Sequence, residues 1–309
     1  MKISVCMCTF NGEKYINEQL NSIISQTVKP HEIIVFDDCS QDNTLKIINS
    51  YKNNNKDITW IIHSNSSNIG WKENFKKALD KATGDVIFLC DQDDIWKETK
   101  IEDMVHLMNQ NKHIDVLVCD YEIKTDDNPI TNLKNDNNSK KYFQLRKKSF
   151  LLFTRYPGCS YCMRREILDD FNQIWKKEFP HDAIIWKIGY LRKSLYLLNN
   201  KEMYWRRHIN AATNKRIKIF SSENVIEHYN TILLYKEYCN AMYRLDNISK
   251  RNKLILNKIC KMLELRLKLY REKSFICFIQ LVFYIGYYAS FKSYLLDGLV
   301  LFKKIQFKK

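Results

Sequence analysis

The sequence predicts an α/β fold with a mainly parallel central sheet, followed by a helical extension. Three observations carry this prediction. Short apolar runs alternate with stretches of helical spacing over the first 125 residues. Each of the first four apolar runs ends in polar residues, which a parallel sheet gathers at one edge, where such folds bind ligands. From about Ile219 the pattern is helical only and strongly basic, which divides the chain into 1–218 and 219–309.

The elements follow in order. "KISVCMCTF" (Lys2–Phe10) reads as a buried strand. "EKYINEQLNSIISQ" (Glu13–Gln26) places Tyr15, Ile16, Leu20, Ile23 and Ile24 at helical spacing. "HEIIVFDD" is a second strand ending in Asp37 and Asp38, and "SQDNTLKIINSYK" a helix with Ser40 or Asp42 as its N-cap. "ITWIIHS" is a third strand. "WKENFKKALDKA" is a helix with Gly84 near its C-cap. "DVIFLCD" and "DVLVCDYEI" (Asp115–Ile123) are further strands, and Thr125–Lys141 reads as an exposed polar loop. Beyond Phe150, "YPGCSYCMRREIL" holds a turn, a short strand and a helix start. "FPHDAIIWKIGYL" opens a helix near His181 and Asp182, and "SLYLLNN" and "EMYWRRH" read as two short strands.

With 309 residues, 45% of them hydrophobic, the chain can bury a sizeable core. Its ten cysteines fall mostly in apolar runs and read as buried free thiols. Cys6 and Cys8, two apart on a strand, point to the same side. "CSYC" has zinc spacing, but no second pair or His cluster answers it. The start, one lysine and then "ISVCMCTF", is too short and strand-like for a signal peptide, so a reducing cytoplasm is expected. The charge is uneven: residues 247–309 hold 14 Lys/Arg against 3 Asp/Glu, +11 of the formal +15. Such a tail fits an anionic partner.

One stretch asks for a cation. In "FLCDQDDIW", Asp91, Asp93 and Asp94 crowd the end of an apolar run. Neighbouring carboxylates repel unless one is protonated or a cation sits among them. Their oxygens suit Mg²⁺ or Mn²⁺ bridging to a substrate diphosphate. The competing reading is a solvated turn in which Asp94 caps the next helix. No G-x-G-x-x-G follows the first strand and there is no Walker A motif, which disfavours dinucleotide and P-loop sites.

The N-terminal part resembles the family-2 glycosyltransferases, through "SVCMCTFNGEKYINEQLNSIISQT", "EIIVFDDCSQDNT", "NSSNIGWKENFKKAL" and "GDVIFLCDQDDIW" in that order. "PGCSYCMRREIL", "FPHDAIIW" and "YWRRHINAAT" extend the resemblance to about residue 215, and the DQDDIW form is most similar to a bacterial rhamnosyltransferase-like branch. The resemblance implies a GT-A fold and inverting, metal-dependent transfer from a dTDP- or UDP-sugar to a glycan or lipid-linked acceptor in surface polysaccharide synthesis. It implies that Asp37 and Asp38 bind base and ribose, with Thr9, Asn11, Glu13, Asn68 and Gly70 lining the same pocket. Asp91 would meet the ribose or the metal's shell, Asp93 would hold the Mg²⁺ or Mn²⁺, and Asp182 would be the base. His208 would touch metal or diphosphate and Arg206 would pair with phosphate. Trp205, Arg207 and Ile209 depart from the branch's usual Tyr, Gln and Gly, which leaves the fine geometry there open. The alternative is a degenerate nucleotide-binding or scaffold module, against which Asp91, Asp93 and Asp182 stand intact.

In the tail, Ser274–Phe291 holds no charged residue across 18 positions and is flanked by Lys273, Lys292, Lys303 and Lys304. The reading is a helical region attached peripherally to the inner face of the cell membrane. The alternatives are a helical subdomain that covers the catalytic domain or forms a homodimer contact, and a true span. Nucleic acid is not expected, since the aromatics cluster in the uncharged stretch instead of among the basic residues.

Overall fold

The computed structural model of the chain describes residues 1–125, 141–207, 222–246 and 248–302. Most of the polar loop after Thr125, as well as His208, therefore lies outside the described residues. Two compact units emerge: residues 1–125, 141–145 and 154–207 form one, and 146–153 with those from 222 onward form the other.

The first unit is built on nine strands: β1 (Ile3–Thr9), β2 (Glu32–Asp37), β3 (Thr59–Ser64), β4 (Val86–Cys90), β5 (Ile95–Trp96), β6 (Val116–Thr125), β7 (Tyr142–Gln144), β8 (Tyr161–Arg164) and β9 (Leu195–Arg207). They run in the order β3-β2-β1-β4-β8-β6-β9-β5, with β7 also on β9. The β3-β2-β1-β4 half is parallel. Beyond β4 the sheet is mixed: β8 is antiparallel to both neighbours, β6 and β9 are parallel, and β5 and β7 are antiparallel to β9.

Every residue of β1, β2 and β4 is buried, as strands covered on both faces must be. Ile3, Val5 and Met7 share one core with α1 (Ile16–Ile24), α2 (Thr44–Asn54) and, after α3 (Trp71–Asp80), with α4 (Lys100–Gln110). α1 buries Ile16, Gln19, Leu20 and Ile23, the i, i+3, i+4, i+7 stripe of an amphipathic helix. On the opposite face Cys6 donates its thiol proton to the Ala78 carbonyl of α3. α5 (Ile167–Ile174) precedes α6 (His181–Leu191), where a Cβ added to Gly189 would fall 2.8 Å from Val116 of β6. All ten cysteines are free, and eight of them are buried.

Three local readings change. Asp42, one of the two expected caps of α2, accepts the Thr44 N–H at 3.0 Å from one residue further out than the N-cap position itself. Gly84 does not close α3, which ends at Asp80; it passes so close to β1 that an added Cβ would lie 2.7 Å from Ser4 N and 2.9 Å from Lys2 O. The two short strands expected after Ser194 are one strand of 13 residues. Asn199 and Asn200 drop out of the β6 ladder as a bulge instead of turning the chain back.

The second unit is helical: α7 (Ser222–Met242), α8 (Lys250–Glu272), α9 (Phe275–Gln280) and α10 (Phe291–Gly298), with 3₁₀ turns at Lys148–Leu151, Leu281–Tyr287 and Leu299–Phe302. No helix among the described residues is long and apolar enough to cross a membrane.

Gly84→Ala is expected to lower unfolding stability in urea by about 1–3 kcal/mol, because backbone on both sides must shift. Gly286→Ala, where an added Cβ meets nothing within 4 Å, is expected to change it by less than about 0.5 kcal/mol.

Candidate functional site

The site begins with the carboxylates at the strand ends. Asp37, at the last position of β2, is fully buried. It accepts hydrogen bonds from Thr9 Oγ1 at 2.7 Å, the Ser40 hydroxyl, Ser40 N at 2.8 Å and Ser64 Oγ at 3.4 Å. A carboxylate has about four acceptor positions, so nothing is left over for a ligand. Asp38 is different. It takes Asn65 Nδ2 (3.1 Å), Ile69 N (2.8 Å) and Gly70 N (2.8 Å), which leaves about one position, and it lines a cavity of about 730 Å³. Gly70 closes the loop at φ +87°, a conformation that favours glycine.

The acidic cluster after β4 is held from both sides. Gln92 accepts the Phe10 N–H at 2.8 Å and donates to the Phe10 carbonyl at 3.0 Å, fixing the loop to the end of β1. Gly12 leaves room for it, since a Cβ there would overlap Gln92 Oε1. From β9, the Arg206 N–H donates to Asp94 Oδ1 (2.9 Å) and its Nε donates to the Asp93 carbonyl (2.7 Å). Its guanidinium also pairs with Glu18 at 2.9 Å and lies over the Tyr15 ring. From α4, the fully buried Lys100 donates to the Cys159 carbonyl at 2.7 Å, with its ammonium 3.9 Å from the Trp96 ring centre.

Ligand atoms of Asp91, Asp94 and Cys159 all lie within 4.8 Å of one another. Burial, followed by the charges of Asp94, Asp93 and Asp182, pushes Asp91 well above the usual carboxylate range. Burial and then Asp93 push Asp94 up to about 7. Burial also raises the Cys159 thiol, with Asp94 and Asp91 adding to it, so the sulfur stays protonated and is a poor ligand. Asp94 Oδ2 is buried with no hydrogen-bond partner among the described residues. An orphaned carboxylate oxygen beside Asp91, with Asp93 at the cavity wall, is a hard-oxygen donor set that fits Mg²⁺ or Mn²⁺. The helix-cap reading of Asp94 fails: the next element is β5, and α4 starts only at Lys100.

Asp182 stands in the first turn of α6, accepts the Ala183 N–H at 2.7 Å and lines the same cavity. A Cβ on Gly158 would fall 3.0 Å from its Cβ, so glycine keeps that wall open. His181 beside it is buried and stacks on Phe75 at 3.9 Å; burial lowers its pKa to about 4, leaving it neutral at pH 7.

Of the residues singled out from sequence, Thr9, Asp38, Asn68, Gly70, Asp91, Asp93, Asp182 and Arg206 line this one cavity. Asp37 lies beneath it. Asn11 and Glu13 do not line it: Asn11 accepts from Gln41 N and Glu13 from Asn43, bracing the neighbouring loop. Arg206 is already engaged with Glu18 and the Asp93 carbonyl. His208 lies outside the described residues. Sequence reading missed Lys100, although its spacing with Met104 and Met108 places it on the buried side of α4. It also missed Gln92, treated only as a spacer between aspartates.

The Glycosyl transferase family 2 model matches residues 4–171. The dTDP-rhamnosyl transferase RfbG of Shigella flexneri is 30% identical over 218 residues, 66% of this chain and 72% of that one. The chain spans 56% of an uncharacterized Nostoc glycosyltransferase, alr2836, to which it is 29% identical over 193 residues, 61% of its own length. Staphylococcus aureus TarS 1–349 in complex with UDP-GlcNAc superposes with TM-score 0.61 at 20% identity, over 96% of this chain and 82% of that one. The Pyrobaculum calidifontis mannosyltransferase PcManGT, in complex with GDP-Man and Mn²⁺, does so with TM-score 0.55 at 15% identity, over 97% and 85%. At these identities the structural likeness is one of fold, and the fold is GT-A.

Two outcomes are expected. Folding raises the Asp94 pKa from about 4 to about 7, so the folded state binds the extra proton and stability falls as pH rises through that window. In metal-free protein, Asp94→Asn should flatten the decline in urea stability between pH 4 and 7, a share of at most about 4 kcal/mol. Lys100→Met, which keeps the stem but removes the buried charge, should cost about 3 kcal/mol or more. Mn²⁺ should then raise the melting temperature of the variant more than that of wild type, since the ion supplies the missing charge.

Proposed function

We propose the following reaction for this chain, which belongs to glycosyl transferase family 2: a sugar passes from a nucleotide-diphospho-sugar to an acceptor hydroxyl, with inversion at the anomeric carbon. The observation that carries this reading is that Asp182 and the Asp91/Asp93 pair line one cavity, near enough for the charge of Asp182 to raise Asp91. A base and a diphosphate-neutralising site in one cavity are what a single displacement requires.

In this mechanism Asp38 uses its remaining acceptor position on a base N–H or ribose hydroxyl, and Asn68 and Gly70 shape the pocket beside it. Asp182 accepts the proton of the acceptor hydroxyl while that oxygen attacks the anomeric carbon and the bond to the diphosphate breaks. Asp91 and Asp93, with Asp94 behind them, would hold Mg²⁺ or Mn²⁺, whose chemistry is to neutralise the departing diphosphate. The neutral His181, stacked on Phe75, sets the wall beside the base without competing for the proton.

The relatives named above differ in their donors: dTDP in the name of RfbG, UDP-GlcNAc with TarS, GDP-Man with PcManGT. A dTDP- or UDP-sugar is the donor class proposed here, on RfbG, matched over 218 residues, and on TarS, the neighbour of higher TM-score. The proposed acceptor is a glycan or lipid-linked saccharide of polysaccharide synthesis, as the polymer-modifying relatives suggest.

Thermal-shift titration with UDP, dTDP, GDP and CDP, each with and without Mn²⁺, tests the donor site. One nucleotide should raise the melting temperature, more so with metal, and Asp93→Ala should lose the metal increment while keeping the fold. Asp182→Asn should keep nucleotide binding and lower turnover about 100-fold or more. Binding of no nucleotide by the folded protein, or full turnover in Asp182→Asn, would overturn the reading.

A further inference from the structure

The second unit exposes more apolar surface than a helical covering unit needs. Sixteen large hydrophobic side chains are exposed among the described residues, and nine of them fall between Phe275 and Phe302. Phe283 is 82% exposed and Phe302 85%, values unlike those of any core residue. Scattered apolar side chains are ordinary on a protein surface, but a concentration of this kind marks a contact face.

The packing shows why these residues point outward. On α10, Asp297 is fixed inward by Arg266 Nε (2.7 Å) and Nη2 (3.0 Å), Tyr270 OH (2.8 Å) and Tyr288 OH (2.7 Å), which fills all of its acceptor positions. α10 is thereby pinned to α8. α9 lies beside it: Phe278 stacks on Tyr294 with ring centres 4.8 Å apart, and a Cβ on Gly298 would fall 2.7 Å from the Phe278 ring. With Cys277, Leu281, Tyr294 and Val300 turned in, Phe275, Ile276, Ile279 and Phe283, and on α10 Phe291 and Leu295, are left facing out.

The charge of the sequence that carries this face has one sign. Residues 250–302 contain ten Lys/Arg and three Asp/Glu. Each of the three acids is already paired: Glu264 with Lys236, Glu272 with Lys268, and Asp297 with Arg266. Lys268, Arg271 and Lys273 precede α9, Lys292 stands in α10, and Lys303 and Lys304 follow in the sequence. A second copy docked on this face about a two-fold axis would bring the same net positive segment against itself. An anionic lipid surface accepts both the apolar side chains and the basic rim.

We propose that the α9–α10 face docks on an anionic lipid bilayer as a peripheral anchor, with Phe275, Ile276 and Phe283 entering the acyl boundary and the surrounding lysines and arginines meeting lipid phosphates. The short, broken helices lie in the interface and do not cross it. This inference is independent of the transfer reaction.

Flotation of the full chain with vesicles tests it, using phosphatidylcholine alone and phosphatidylcholine with about a third phosphatidylglycerol. Wild type should float with the anionic vesicles, at least tenfold less with the neutral ones, and progressively less as salt rises. The triple variant Phe275→Ser/Ile276→Ser/Phe283→Ser should lose at least tenfold in anionic-vesicle binding. Its melting temperature should stay within a few degrees, because these side chains are exposed. Lys268→Glu/Arg271→Glu/Lys292→Glu should lose the anionic preference while keeping the apolar face. Failure of wild type to bind anionic vesicles would overturn the proposal, as would equal binding to neutral ones or unchanged binding by the triple variant. A wild-type dimer that the triple variant splits into monomers without bound lipid would overturn it in favour of a homodimer face.

Discussion

Three aspartates at the end of a buried strand must be held together against their own repulsion, and much of the first unit's wiring serves that need. β4 is buried along its whole length and delivers Asp94 into full burial and Asp91 and Asp93 to the wall of the cavity. Two cations meet them there, one from nearby and one from far along the chain. Lys100 comes from α4, fully buried, its ammonium held by the Cys159 carbonyl and the face of Trp96. Arg206 comes from β9, giving its N–H to Asp94 and its guanidinium to the Asp93 carbonyl and Glu18. For Arg206 to arrive, β9 must run on past its bulge and pair with β5 through Ile95↔Tyr204 and Trp96↔Met203. The two-residue strand β5 is thus the clamp that sets the acidic loop in register with β9.

The same accounting separates two acidic clusters that look alike in sequence. At the end of β2, Asp37 has every acceptor position filled and Asp38 nearly so, all by N–H and O–H groups of neighbouring loops. Both carboxylates are held by neutral donors; Asp37 only braces its neighbours, while Asp38 keeps one acceptor position at the cavity. At the end of β4, Asp94 Oδ2 has no hydrogen-bond partner among the described residues, and burial with neighbouring charge drives Asp91 and Asp94 toward protonation. Only a proton or a cation completes that set. The difference lies in what surrounds each cluster, and it makes the second one the metal-ligating candidate.

This is also where sequence reading stops. β1, β2 and β4 were legible because each is a short apolar run with a polar end, and buried parallel strands have no other pattern available. The gathering of Thr9, Asp38, Asn68, Asp91 and Asp93 at one edge followed from that topology. That Asp37 is fully engaged could not be read, because the donors that fill it include Thr9, which lies 28 residues earlier in the chain. The mixed half of the sheet was hidden for a similar reason: β8 and β9 read as short apolar pieces, and their neighbours are set by long-range pairing that leaves no local period. Gly84 looked like a helix stop because glycine serves both as cap and as close-approach residue, and only the position of Ser4 distinguishes them.

The second unit repeats the lesson with the opposite sign. Hydropathy alone sees an uncharged stretch from Ser274 to Phe291 and cannot choose between a span, a core helix and an interfacial one. What decides is where the chain bends. α9 lasts six residues, a 3₁₀ turn follows, and Ser290 caps a new helix by accepting the Ser293 N–H. Further along that helix, Asp297 is drawn down by Arg266 and two tyrosines. A segment folded back in this way satisfies its backbone locally and turns Cys277, Leu281 and Tyr294 inward. Phe275, Ile276, Ile279 and Phe283 cannot follow them, because side chains on short helices packed on one side have nowhere else to point. The buried Arg266–Asp297 pair contributes little net stability by itself, since desolvation offsets most of the attraction. Its effect is directional: it fixes which side of α10 is the inside, and so creates the apolar face on the other.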